Sequence, residues 1–81
     1  MTALDKRLTH FIVCDRGEWG FGVTLNEAAK ARPHSGQTKL SKNAFAYRVA
    51  AGAYINDMGQ VTYPKGDPEP VLVDVKTGNP V

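Results

Sequence analysis

The stretch THFIVCD, residues 9–15, sets the tightest limit on how this chain folds. It is β-branched and aromatic, with Phe11 and Val13 on one face and Ile12 and Cys14 on the other. A strand apolar on both faces belongs at the centre of a sheet, where neither side meets water. The other elements have to be arranged around it.

The best helix signal is VTLNEAAKARP, residues 23–33. Thr24 as N-cap and Glu27 three residues on form a capping box, and Val23 ahead of the cap supplies half of a hydrophobic staple. Leu25, Ala28 and Ala29 make a narrow apolar stripe at i, i+3, i+4. Pro33 ends the helix, because the residue before proline is pushed out of the α region. Two turns cannot stand alone in water, so this helix must pack on something, and the strand before it is the obvious support. Between them lies GEWGFG, residues 17–22, which reads as a glycine-rich strand-to-helix corner. Ahead of the strand, Thr2, Asp5, Leu4 and Leu8 suggest a short N-terminal turn or helix.

The second half of the chain has β character. NAFAYRVA carries both helix and strand signals, and the alternation of Phe45, Tyr47 and Val49 favours strand. AYINDMGQVTY predicts two strands joined by a type I turn at Asn56–Asp57 and a glycine bulge at Gly59, with Ile55 opposite Val61 and Ala53 opposite Tyr63. PKGDPEP is a loop, since its prolines cannot sit in a central strand. VLVDV is the last strand, with Val71, Val73 and Val75 on one face and Asp74 turned to water. The expected fold is α+β: a small antiparallel sheet of about four strands, drawn as a meander in the second half, with one short helix packed on one face, in the order β-α-β-β-β. At 81 residues the chain has room for one domain, residues 1–81.

Charge is uneven although the net is only +2. Residues 30–48 hold Lys30, Arg32, Lys39, Lys42 and Arg48 with no acid, and His34 lies among them. This stretch is either a solvated face or an electrostatic footprint for nucleic acid or an acidic protein surface. Phe45 and Tyr47 beside Arg48 interleave aromatics with charge. No helix-turn-helix, zinc finger, RNP motif or KH loop accompanies it.

Trp19 and Phe21 also carry two readings: they close the core beside the glycines, or they form an exposed platform for a partner. GEWGFG does not follow the G-x-G-x-x-G order of a dinucleotide fingerprint and has no P-loop lysine. The capping box behind it occupies the helix N-terminus, so no nucleotide cofactor is expected. His10 and His34 stand alone, without metal-ligand spacing, and no metal is expected. One cysteine, Cys14, cannot form an internal disulfide and reads as a buried strand residue. No catalytic constellation is visible, and the chain is expected not to be an enzyme. There is no signal-peptide pattern and no run of ~20 apolar residues, so the default expectation is a cytoplasmic protein that does not enter a membrane.

In size and organisation the chain resembles the small single-domain accessory proteins of phages and plasmids, of which anti-CRISPR inhibitors are one group. The resemblance is to a class, carried by a short α+β chain with no catalytic constellation. It implies a non-enzymatic protein-binding module that acts by occupying a surface on a partner. Net basic charge sets it apart from members that mimic DNA with acidic faces. The alternatives are a nucleic-acid-binding accessory protein working through Lys30, Arg32, Lys39, Lys42 and Arg48, and a homodimer paired through a sheet edge.

Overall fold

The computed structural model describes residues 4–33 and 39–81. Its elements are β1 (His10–Asp15), β2 (Glu18–Gly22), α1 (Leu25–Lys30), β3 (Phe45–Val49), β4 (Tyr54–Ile55), β5 (Val61–Thr62) and β6 (Val71–Val73). A four-stranded sheet has the order β2-β1-β3-β6 with every pair antiparallel, and β4-β5 form a separate two-stranded ribbon. This is the α+β class expected, with one short helix packed on the sheet.

Strand β1 is central, hydrogen-bonded to β2 on one side and β3 on the other. Its two apolar faces feed two separate cores. Val13 packs with Ala28, Ala29, Ala46 and Val73 under the helix. Ile12 packs with Val49 and Ala53 on the opposite face, where Ile55 and Val61 of the small ribbon cover it. The molecule therefore has three layers: helix, sheet, ribbon. A two-sided strand requires this, since an uncovered face would leave Ile12 in water.

The GEWGFG segment is not a loop. It forms β2, paired with β1 through a two-residue turn at Arg16–Gly17 that closes on Asp15 and Glu18. Both turn residues have positive φ, 55° at Arg16 and 77° at Gly17, as a type I′ hairpin requires. The turn is hard to see in the sequence because arginine is an unusual residue for the left-handed region. Asn-Gly is the favoured pair for this turn. Arg16→Asn is therefore expected to stabilise the fold by about 0.5–1 kcal/mol. A thermal melt checks it, with a rise of roughly 4 °C for a domain of this size.

In β2 the side chains alternate between layers. Gly20 and Gly22 face the helix, while Trp19 and Phe21 face the other way. A Cβ on Gly20 would stand 2.0 Å from the Ala28 carbonyl oxygen, and one on Gly22 would stand 2.6 Å from the Ala28 nitrogen. The glycines let the helix backbone rest directly on the strand.

Helix α1 starts as expected: the Glu27 N–H donates to Thr24 Oγ1 at 3.1 Å. Glu27 reaches back one residue further than a standard box, its carboxylate accepting from the Val23 N–H at 3.1 Å. The β4-β5 turn also matches, with Gly59 at φ 78° and Ile55 opposite Val61. Asn56 holds this turn, its side-chain oxygen accepting from the N–H groups of Met58 and Gln60.

The expected meander is corrected. Strand β3 pairs with β1 and β6, and the β4-β5 ribbon leaves the sheet. Burial explains this: Ile12 and Val49 need a cover, and Ile55 with Val61 supplies it. Near the N-terminus the described residues form a turn, with the Leu8 N–H donating to the Asp5 carbonyl. The expected cap at Thr2 lies outside the described residues, as does His34.

Candidate functional site

The ribbon covers only part of its side of the sheet, and the uncovered part is aromatic. Register places Trp19 beside Cys14 and Cys14 beside Phe45, one row across β2, β1 and β3. The next row is Phe21, Ile12, Tyr47 and Leu72. Phe45 and Tyr47 meet edge to face, with ring centroids 6.0 Å apart and planes at 89°. Trp19 is 38% exposed, Phe45 46% and Leu72 44%. Tyr47 is only half-buried, whereas Ile12 in the same row is fully buried.

Two grooves flank the tip of the ribbon. One, about 220 Å³, runs between Trp19, Phe45 and Cys14 on the sheet and Ile55 and Gly59 on the ribbon. The other, about 420 Å³, lies between Phe45, Tyr47, Val61 and Tyr63 and is closed by Glu69 and Pro70. They share Cys14, Phe45 and Gly59, so Phe45 stands between them. Met58 at the ribbon tip is 81% exposed. The result is an apolar, aromatic surface with a polar rim that includes Glu69 and Arg16. A surface of this make-up suits binding, since aromatic and methionine side chains dominate interface cores.

The two aromatics singled out in the sequence part company. Trp19 is on the exposed row. Phe21 is half-buried, packed against the Ile12 core and stacked on His10 with centroids 4.9 Å apart and planes at 15°. Trp19 therefore fits the platform reading and Phe21 the core reading. Phe45 and Tyr47 complete the surface, while Tyr63 joins it through the ribbon, a neighbour that no local pattern reveals.

The basic stretch does not act as one patch. Arg32 is buried, its guanidinium 3.2 Å from the Asp15 carboxylate, with Nε donating to the Ala29 carbonyl at 2.9 Å. It ties the end of α1 to the end of β1 and is a core ion pair rather than part of an exposed basic face. Arg48 is half-buried on the helix side, donating to the Leu8 carbonyl at 2.8 Å and lying 5.6 Å from the Phe11 ring centroid. Lys30, Lys39 and Lys42 are exposed. Lys30 ends the helix, and the Lys39 carbonyl accepts from Arg32, so both belong to the helix layer. The aromatic rows lie on the other side of the sheet.

Asp15 is the hub of this corner. Ser41 donates to it from its hydroxyl and its backbone N–H, and these bonds, with Arg32 beside them, hold the carboxyl below its ordinary range. Burial pushes the Cys14 thiol up, which keeps it protonated and works against a nucleophilic role. Among the described residues no group of three or more His, Cys, Asp or Glu side chains is placed to hold a metal ion. Among them, too, no helix is long and apolar enough to cross a membrane. Comparison with family models, curated proteins and solved structures finds no match to this chain.

Proposed function

We propose that this protein is a non-enzymatic binding module that occupies a surface on a partner protein through the Trp19–Phe45–Tyr47 face. The observation that carries this reading is the exposure of Trp19 and Phe45, in one row across β2, β1 and β3, beside a row whose Ile12 is buried under the ribbon. An inhibitor of the kind carried by phages and plasmids, occluding part of a host machine, is its concrete form. The exposed lysines support a nucleic-acid role less well, because the sheet separates Lys30 and Lys39 from the aromatic rows and Arg32 is taken up by Asp15.

Affinity capture from host extract with matched baits tests this. Trp19→Ala with Phe45→Ala is expected to cost the fold less than about 1 kcal/mol per site, as for other partly exposed positions. It is expected to abolish retention of a partner held by the unmodified chain. Lys30→Ala with Lys39→Ala and Lys42→Ala is expected to retain it. Phe21→Ala is expected to lower stability by about 2–3 kcal/mol through lost packing. A partner kept by the aromatic variant and released by the lysine variant, with salt-sensitive binding, would transfer the function to the basic stretch.

A further inference from the structure

The four-stranded sheet has two edges, and the described residues cover one of them. Along β6 the C-terminal tail lies beside the strand. The Val81 N–H donates to the Leu72 carbonyl at 3.3 Å, and Pro80 bridges Val73. Along β2 nothing among the described residues plays that part. The two-residue turn makes Asp15–Glu18 a hydrogen-bonded pair, and the alternation extends this to Val13–Gly20 and Phe11–Gly22. The amide and carbonyl groups of Trp19 and Phe21 therefore point away from β1, and among the described residues no turn, loop or tail hydrogen bond engages them. The strand carries neither proline nor lysine, the usual guards of an open edge.

The geometry points to β2 as the seat for an extended segment of a partner protein, added as a further strand beside Trp19–Phe21. A second copy of this chain fits there less well. Helix α1 rests directly on the β2 backbone, since a Cβ added to Gly20 would stand 2.0 Å from the Ala28 carbonyl oxygen. Two β2 strands paired about a two-fold lie about 4.8 Å apart. With the two-fold at Gly20 or Phe21, that brings their helices, on the same side, inside the 8–10 Å or so that packed helices need. A lone strand carries no helix and meets no such clash. Its chemistry follows from the two sides of the edge. On the aromatic side it places apolar or aromatic side chains, at alternate positions, beside Trp19 and Phe21. On the helix side Glu18 has no ion-pair partner among the described residues, so a facing lysine or arginine complements it.

This inference rests on the protein-binding reading of the Trp19 face and adds the mode of attachment. Chemical synthesis with ligation at Cys14 delivers the full chain with an N-methyl group on the Trp19 amide and its indole intact. That amide points away from β1, so near-ultraviolet circular dichroism should match the unmodified chain. The probe is a displayed library of random short peptides selected on the unmodified protein, its strongest binder then titrated against three chains: unmodified, N-methyl-Trp19 and Trp19→Ala. The expected binder alternates apolar and polar residues, protects the Trp19 and Phe21 amides from hydrogen exchange, and binds the N-methyl chain at least about ten-fold more weakly. A binder lost with Trp19→Ala but unaffected by N-methylation overturns strand addition and leaves the aromatic-face reading standing. A binder indifferent to both changes overturns both, and a selection that yields no binder overturns strand addition.

Discussion

Gly20→Val is expected to be the most damaging single substitution in the sheet. The added Cβ meets the Ala28 carbonyl oxygen at 2.0 Å and the Arg32 nitrogen at 2.9 Å, both backbone atoms that no rotamer change can move. The helix must lift off the strand, which opens the contacts of Ala28 and Ala29 with Val13. Overpacking with loss of that core corresponds to about 3–5 kcal/mol. A chain of this length holds only about 4–12 kcal/mol in total, so much of the population should be unfolded in mild urea. An unfolding free energy within about 1 kcal/mol of that of the unmodified protein would show that α1 does not rest on β2.

Asp15→Ala is expected to come second, at about 3–5 kcal/mol, because it leaves the Arg32 charge buried without its carboxylate. It also strips Ser41 of the acceptor for its hydroxyl and its amide. Replacing both partners, Asp15→Leu with Arg32→Met, is expected to recover much of the loss, since an apolar pair carries no desolvation cost. The pair also sets a pH response. The Ser41 bonds, with help from Arg32, lower the folded-state pKa of Asp15 below its unfolded value of about 3.9. The contribution is thus present in full above about pH 4 and is lost as pH falls through the folded-state value. Urea unfolding from neutral to acid pH should show this limb in the unmodified protein and a shallower one in Asp15→Ala. Equal slopes would remove Asp15 from the account.

What was legible in the sequence was what local patterns encode. The two apolar faces of THFIVCD gave a central strand, the Thr24–Glu27 spacing gave the helix start, and Asn56 with Gly59 gave the ribbon turn. Strand β2 was hidden because glycine normally signals a loop. In this strand two of the three helix-facing positions, Gly20 and Gly22, are glycine for the sake of the helix above them, a requirement that exists only once the layers are assembled. The Arg16–Gly17 turn was hidden for a related reason, since an arginine at φ 55° breaks the usual composition rule. Charge density alone misread Arg32, whose partner lies seventeen positions away in sequence. The candidate site was half legible: Trp19, Phe45 and Tyr47 stood out by residue type. Their gathering into one face, with Tyr63 added and Phe21 removed to the core, follows from register and from a ribbon that leaves the sheet.

The central claim is that one strand, EWGFG, seats the helix with its glycines and presents Trp19 to a partner on its other side. An NMR titration of the isotope-labelled chain with its captured partner tests this most directly. The account predicts that the largest shift changes fall on Trp19, Cys14, Phe45, Tyr47 and Tyr63, while Lys30 and Lys39 stay silent. Changes centred on Lys30, Lys39 and Lys42, with the aromatic rows unmoved, would contradict it.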